Sequence, residues 1–220
     1  MKMEPKGRPF ISGKRYLLAF IIGTLLFILI FGISYALSYI ELQRISNQQV
    51  GLSYDIFNDK LDYSFFNASI CSDSALTKLS QDLGFQGSII DDLEKKLGKQ
   101  NQDVLLRKKF YSLVEVEHLQ FIQSYNAECN QSVNTILFFY SNNASKSTRS
   151  DEAGRILDTI VANNQNITVY SFDVDLDSDV ISRLEAKYNV TGSEVPVIIV
   201  NENTKMLMPA NINQIESHFY

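Results

Sequence analysis

An uncharged apolar stretch near the start of the sequence constrains the fold more than any other feature. It runs from Tyr16 to Ile40 and reads YLLAFIIGTLLFILIFGISYALSYI. About 20 consecutive apolar residues span the hydrocarbon core of a bilayer as a helix. Because no face of this stretch is polar, a buried helix of a soluble protein is disfavoured. We therefore expect residues 17–40 to form one transmembrane helix in the lipid bilayer.

A cleaved signal peptide is the alternative interpretation, with Ala36–Ser38 as a weak cleavage site. The apolar region of a signal peptide usually has ~7–15 residues, and this stretch is longer. The length therefore favours an uncleaved anchor.

Charged side chains are distributed unequally around the apolar stretch. Residues 1–16 carry Glu4 and five basic side chains, whereas Glu41 and Arg44 follow the stretch. The more basic flank of a membrane helix stays in the cytoplasm. We therefore expect a single-pass protein of the cell membrane, with residues 1–16 as a basic cytoplasmic tail and the C-terminal domain outside. The five basic residues are Lys2, Lys6, Arg8, Lys14 and Arg15.

Basic residues beyond position 41 are scattered among acidic ones, in a chain whose net charge is −5. Nucleic-acid binding requires a clustered basic patch. We therefore expect no nucleic-acid partner.

The two cysteines and the sequons agree with an exterior location. Cys71 and Cys129 both follow the apolar stretch, which is the pattern of one structural disulfide in an oxidising compartment. A reactive pair is disfavoured because 58 positions separate them. The chain is also a candidate glycoprotein, depending on its organism, because Asn-x-Ser/Thr sequons begin at Asn67, Asn130, Asn143, Asn166 and Asn189.

Residues 41–130 have helical patterns. We expect a helical stalk over residues 41–70 and a helical hairpin over residues 71–130, with its turn near residue 100. We expect Gly84–Gly87 to interrupt the first hairpin helix, after which Ser88 resembles an N-cap. Each cysteine lies 29 residues from residue 100. Antiparallel packing would bring their Cα atoms within the ~4.4–6.8 Å that a disulfide requires.

After Cys129 the pattern changes to alternating strands and helices. The apolar runs predict strands at 135–140, 167–173, 195–200 and 205–208, and helices at 151–163, 177–188 and 212–219. The predicted class is α/β with the order β-α-β-α-β-β-α. The alternating part argues for parallel strands and the last strand pair for a hairpin.

This order over residues 131–220 resembles the thioredoxin fold. Two segments carry the resemblance: LFFYS (Leu137–Ser141), which is similar to the strand before the family's active-site loop, and YNVTGSEVPVIIVNENTK (Tyr188–Lys205), which contains Pro196 at the place of the family's cis-proline. The resemblance implies a cis Val195–Pro196 bond and a Cys-x-x-Cys pair near positions 144 and 147. Ala144 and Ser147 stand there instead, and no cysteine follows Cys129.

Thiol–disulfide exchange needs an attacking thiolate and a resolving partner. The absence of the Cys-x-x-Cys pair from this loop therefore implies a redox-inactive domain. The resemblance then implies a binding function: a membrane-tethered adaptor or chaperone-like module for proteins at the outer face. In the family, the loop and the cis-proline turn border a shallow groove, where the backbone of Val195 would pair with an extended peptide. The implied groove residues are Asn142, Asn143, Ala144, Ser145, Lys146, Ser147, Val195 and Pro196.

Two other functions remain open, and we name no catalytic residue, metal ligand or cofactor. The first alternative is a thiol–disulfide oxidoreductase-related protein that acts through Cys71 and Cys129. The second is a structural subunit of a membrane complex.

For three further motifs, an interpretation without metal or anion binding is favoured. DVDLDSD (Asp173–Asp179) alternates acids like a calcium loop but lacks glycine at the sixth position, so solvated carboxylates with Asp177 as a helix cap are expected. Glu115 and His118 form one Glu-x-x-His motif. A di-iron helical bundle needs two such motifs, so an ordinary surface or core histidine is favoured. Lys146 and Arg149 precede a helix and could hold an anion, but the loop has no glycines.

Overall fold

The computed structural model describes residues 13–65, 71, 73–164, 166–209 and 211–219 of a mixed α/β chain. The predicted tail up to residue 12, the last part of the predicted stalk (66–70) and the sequon at Asn67 lie outside these residues. The chain divides into two compact units, Met1–Ser46 and Asn47–Tyr220.

The first helix, α1 (Gly13–Phe65), is continuous over 53 residues. Its first part, Gly13–Ile40, has 28 residues, none of them buried, and contains an 18-residue stretch with a mean hydropathy of 2.7. At 1.5 Å per residue this part is roughly 42 Å long, more than the ~30 Å hydrocarbon thickness of a bilayer. It is therefore long and apolar enough to cross a membrane, and α1 remains helical through the first part of the predicted stalk.

A helical hairpin follows, formed by α2 (Asp73–Leu97) and α3 (Gln102–Cys129). Gly98 has a φ of 92°, which favours glycine in the connecting turn. Asn101 caps α3, since its side-chain oxygen accepts a hydrogen bond of 2.9 Å from the amide of Asp103. The predicted disulfide is confirmed: Cys71 and Cys129 are bonded, with their Cα atoms 5.4 Å apart.

The predicted interruption at Gly84–Gly87 is wrong, because α2 runs through both glycines. A Cβ atom at Gly87 would lie 2.9 Å from the hydroxyl oxygen of Tyr111 on α3. That hydroxyl donates a 3.0 Å hydrogen bond to the carbonyl of Leu83. Gly87 therefore provides space for a tyrosine that packs against α2, and it does not end the helix.

The sheet has four strands in the order β2-β1-β3-β4: β1 (Asn134–Tyr140), β2 (Ile167–Asp173), β3 (Val197–Val200) and β4 (Thr204–Leu207). β1 and β2 are parallel, as their alternation with helices predicts. β3 is antiparallel to both β1 and β4, and β3 and β4 form the predicted hairpin. Strand β2 is one edge of the sheet and β4 is the other.

Three helices alternate with these strands: α4 (Ser147–Asn163), α5 (Asp179–Tyr188) and α6 (Ile212–Glu216). α4 and α6 cover one face of the sheet, where Phe138 packs with Leu157 and Ile215. α5 and the α2–α3 hairpin supply the core of the other face, where Phe139 and Phe172 are fully buried. The hairpin therefore shares a hydrophobic core with the sheet.

Two predicted helix starts are wrong. α4 begins at Ser147, four residues before the predicted start. α5 begins after Ser178, which is its N-cap residue, so Asp177 does not cap the helix. Both errors concern helix starts, where local sequence signals are weakest.

Candidate functional site

The candidate site lies at one edge of the sheet, around the loop between β1 and α4. β1 and β2 are parallel, so both end at this edge, and the antiparallel β3 begins there. Ligands of open α/β sheets bind beyond the carboxyl ends of the parallel strands. In this loop Asn143, Ala144 and Ser145 are exposed.

The carboxylate of Asp175, just beyond β2, holds the start of the loop. Its Oδ2 accepts hydrogen bonds from the hydroxyl of Ser141 at 2.8 Å, the amide of Asn142 at 2.7 Å and the amide of Asn143 at 3.0 Å. Further along, Asn143 Oδ1 accepts from the amide and the hydroxyl of Ser145, at 3.2 and 3.1 Å. The loop is therefore fixed by an anion of its own chain.

The end of the loop approaches the segment before β3. The Lys146 ammonium donates a hydrogen bond to the carbonyl of Gly192, and Ser147 begins α4. The Val195–Pro196 peptide bond is cis, the isomer that the resemblance implies. The side chains of Val195 and Pro196 are both buried. Any contact of a ligand with this segment would therefore be with its backbone.

A buried ion network lies beside the loop and joins it to the helical hairpin. Lys108 of α3 donates hydrogen bonds to Glu94 of α2, at 2.7 Å, and to Asp173 at the end of β2. The side-chain amide of Asn142 donates to the same oxygen of Asp173 at 2.8 Å. The network thus connects α2, α3, β2 and the loop.

The electrostatics of this network keep Lys108 protonated. Burial alone lowers the pKa of the Lys108 ammonium, but Tyr140, Asp173 and Glu94 outweigh it and raise that pKa well above its ordinary value. The Lys108 nitrogen also lies 5.1 Å from the centre of the Tyr140 ring. A lysine held in its charged form is a poor nucleophile, so its role is to hold the four elements together.

Two sequence candidates for ion binding do not form sites. Asp173 and Asp175 of the calcium-like motif accept hydrogen bonds from Lys108 and from the loop, and no group of three metal-ligating side chains lies within the described residues. The anion interpretation of the loop is also unsupported, since the amides of Asn142 and Asn143 already bind Asp175.

Glu115 and His118 of the Glu-x-x-His motif are both buried but have separate partners. Glu115 Oε1 accepts a 2.7 Å hydrogen bond from the amide of Ser171, whereas His118 Nδ1 lies 2.8 Å from the hydroxyl of Tyr170. Burial raises the pKa of Glu115 well above its ordinary range. Burial also lowers the pKa of His118 to about 4. His118 is therefore neutral at pH 7, and burial favours the protonated form of Glu115.

The ion network was not predicted from the sequence, although a signal was present. Lys108, Ser112 and Glu115 fall on the same helical stripe as the buried Val104 and Ile122. Polar residues on an apolar stripe are informative because a buried polar group needs a partner. The partners themselves come from other elements, and the local pattern does not identify them.

No family model, curated protein or solved structure matches this chain. The geometry of the site is therefore the basis for a functional proposal.

Proposed function

We propose that the chain is a membrane-tethered binding module with a thioredoxin-like domain that lacks redox chemistry. In this proposal α1 anchors the protein as a single-pass helix, and the domain holds extended segments of partner proteins at the outer face of the membrane. The order of elements along residues 134–216 and the mixed four-stranded sheet support the thioredoxin-like assignment.

The observation that carries the proposal is the use of both cysteines in one bridge away from the loop. The chain has two cysteines, and both are in the Cys71–Cys129 disulfide at the open end of the α2–α3 hairpin. The loop after β1 presents amide and hydroxyl groups instead, held by Asp175. A site without a thiolate can bind a peptide reversibly but cannot form a mixed disulfide with it.

The proposed binding groove has the loop as one wall and the segment before β3 as the other. Asn143, Ala144 and Ser145 form the exposed part of the loop, and Lys146 bridges to Gly192. A partner segment would pair with the backbone of Val195 by strand addition. Because Asp175 fixes the loop before a ligand arrives, little conformational entropy is lost when the ligand binds.

A crosslinking experiment in native membranes tests this proposal. A photoreactive amino acid at Ser145 in the full-length protein should capture several partner proteins. The matched control is the same amino acid at Gln131, which is also exposed but lies before the start of β1, at the opposite end of that strand. Equal capture at the two positions would remove the groove from the proposal, and capture of one stoichiometric partner would favour a structural subunit.

A reductase assay separates binding from the oxidoreductase alternative. The full-length protein should not accelerate the reduction of insulin disulfides by dithiothreitol. Turnover that is abolished by Cys71→Ser or Cys129→Ser would favour the enzyme over the binding module.

A further inference from the structure

A second concave surface lies beside β4, the edge strand on the side of the sheet away from β2. It has a volume of about 420 Å³, and we call it the β4 pocket. Its described lining comes from the end of β4 and from α6 with the residues that follow it. No residue of the proposed peptide groove is part of this described lining, so the two sites are separate.

Methionine and histidine side chains are concentrated in the β4 pocket. The chain has four methionines, of which Met1 and Met3 precede the apolar stretch, and the other two, Met206 and Met208, both line the pocket. His218, one of the two histidines of the chain, lines it as well. Every methionine of the unit 47–220 therefore lies at one concave surface together with a histidine.

The end of β4 holds the two methionines at the pocket. Met206 is paired with Ile198 of β3, and Met208 follows the strand. Both side chains are half-buried and pack against the core that contains Ile215. Met208 has a φ of 50°, a left-handed conformation that is uncommon for a residue with a Cβ atom. Such conformations persist where the surrounding structure fixes them, and they cluster at ligand sites.

His218 reaches the same pocket from the segment after α6. Its backbone is fixed, since its amide donates to the carbonyl of Ile215 at 3.1 Å and its carbonyl accepts from the side-chain amide of Asn201 at 3.0 Å. Its side chain is exposed, and the ring has no hydrogen bond or ion pair among the described residues. His118, by contrast, is fully buried. His218 is therefore the histidine that is accessible to a ligand.

The donor set of the β4 pocket has the chemistry of a Cu(I) site. Soft thioether ligands select Cu(I) and imidazole also binds copper, whereas Ca²⁺ and Mg²⁺ require oxygen ligands. The other described lining residues are Leu207, Pro209, Gln214 and Ser217, so no charged carboxylate or ammonium group belongs to this lining. Thioethers are neutral, and a metal-bound imidazole is neutral too. A monovalent ion leaves less uncompensated charge in such a site than a divalent ion does.

The proposed location of the domain favours thioether ligands over thiolates. In an oxidising compartment two neighbouring thiols form a disulfide, as Cys71 and Cys129 do in this chain. Thioethers cannot form disulfides, so a pair of methionines keeps its ability to bind Cu(I) there. The pocket therefore suits a domain that lies outside the cell.

We propose that the β4 pocket binds one Cu(I) ion through the sulfur atoms of Met206 and Met208 and a ring nitrogen of His218. Neither the loop after β1 nor Val195 takes part. The inference therefore goes beyond the proposed function and does not depend on peptide binding.

Competition with a colorimetric chelator tests the proposal. The full-length protein in detergent is titrated under argon into the Cu(I) complex of bicinchoninate, with ascorbate present to keep the copper reduced. We expect the wild type to remove one equivalent of Cu(I) from the chelator. A wild type that removes no copper would overturn the proposal.

Three variants locate the copper. Changing both Met206 and Met208 to leucine keeps the side-chain volume and should preserve the fold. It should weaken the affinity for Cu(I) by about 100-fold or more, because even residues behind a metal ligand contribute about 10–100-fold. His218→Ala changes an exposed side chain and should weaken it by about tenfold or more. Met3→Leu is the matched control and should leave the affinity unchanged. Wild-type affinity in both pocket variants, or its loss in Met3→Leu, would contradict the proposal.

Nuclear magnetic resonance of the methionine methyl groups keeps the proposal testable without a change in the binding residues. With carbon-13 in these methyl groups, the four methionines of the full-length chain give separate signals. Ag(I), a soft monovalent ion, should shift the signals of Met206 and Met208 and leave those of Met1 and Met3 unchanged. Zn²⁺ at the same concentration should shift none of them, since thioethers are poor ligands for zinc. Shifts confined to Met1 and Met3, or equal shifts with Zn²⁺, would overturn the proposal.

Discussion

At the residue scale, His118 links the stability of the folded unit to pH. It is fully buried between the Tyr170 hydroxyl at 2.8 Å and the Ser80 hydroxyl at 3.3 Å. Burial lowers its pKa to about 4, whereas an unfolded chain binds the proton near pH 6.5. The unfolded state therefore takes up a proton first as the pH falls. We expect His118 to remove about 3 kcal/mol of unfolding free energy between pH 6.5 and 4, and nothing above pH 7.5.

Denaturation of the full-length protein in detergent at a series of pH values checks this prediction. His118→Gln should be less stable than the wild type at pH 7.5 but should lose less stability on acidification. Glu115 acts in the opposite direction, because its raised pKa means that its stabilising proton is lost as the pH rises. The difference between wild type and His118→Gln isolates the histidine. Parallel pH profiles for the two proteins would contradict the prediction.

Asp175 is the second residue whose contribution can be measured, since three hydrogen bonds of the loop end on one carboxylate oxygen. Asp175→Asn keeps the shape but removes the charge that strengthens these bonds. We expect a loss of about 1 kcal/mol in unfolding free energy because the site is exposed. Hydrogen exchange at the Asn142 and Asn143 amides should become faster.

Asp177→Asn is the matched control for the loop. Asp177 is also exposed, and its nearest cationic group is Lys109 at 3.8 Å. Exposed pairs of this kind contribute little, so exchange at Asn142 and Asn143 should not change. Similar exchange rates in the two variants would show that Asp175 does not hold the loop.

At the element scale, the two glycines of α2 have opposite roles. A Cβ atom at Gly84 has no neighbour within 4 Å, so Gly84→Ala should stabilise the helix by up to about 1 kcal/mol. A Cβ atom at Gly87 lies 2.9 Å from the Tyr111 hydroxyl, so Gly87→Ala should displace that hydroxyl and break its bond to Leu83. We expect Gly87→Ala to destabilise the protein by about 1 kcal/mol.

Thermal unfolding in detergent measures both changes, and Tyr111→Phe supplies the control. Without the hydroxyl the close contact disappears, so Gly87→Ala should become neutral or stabilising in the Tyr111→Phe background. A destabilisation that persists in that background would assign the role of Gly87 to something other than Tyr111.

The same element shows why part of the fold was predictable from sequence and part was not. Apolar periodicity locates β1, β2 and α5 within two residues, because these elements bury one regular set of side chains. The continuity of α2 through Gly87 depends on Tyr111, which belongs to another helix. The loop likewise depends on Asp175, which lies beyond the next strand. Contacts between elements distant in sequence leave no local signal, so neither feature could be predicted.

At the scale of the whole molecule, the disulfide closes the helical hairpin whose core is shared with the sheet. A separation of 58 residues corresponds to about 4 kcal/mol of denatured-state entropy, and the realised effect is often smaller. We expect the double variant Cys71→Ser, Cys129→Ser to lose about 2–4 kcal/mol while keeping the sheet. Chemical denaturation with near-ultraviolet circular dichroism measures this loss. An unchanged midpoint, matching that of the wild type, would show that the bridge does not stabilise the fold.

Orientation in the membrane is the last property of the whole molecule that the charges predict. Lys14 and Arg15 lie in the first turn of α1, three further basic residues precede them, and Glu41 and Arg44 follow the apolar part. Basic flanks remain in the cytoplasm, so the unit 47–220 should lie outside. Protease added to intact cells should digest that unit and leave an epitope at the N-terminus protected. Replacing the basic residues of the tail with glutamine and adding lysines after Ile40 should invert a fraction of the molecules, because the charge difference then has the opposite sign. A protected C-terminal unit in the unmodified protein would reverse the orientation and exclude partners at the outer face.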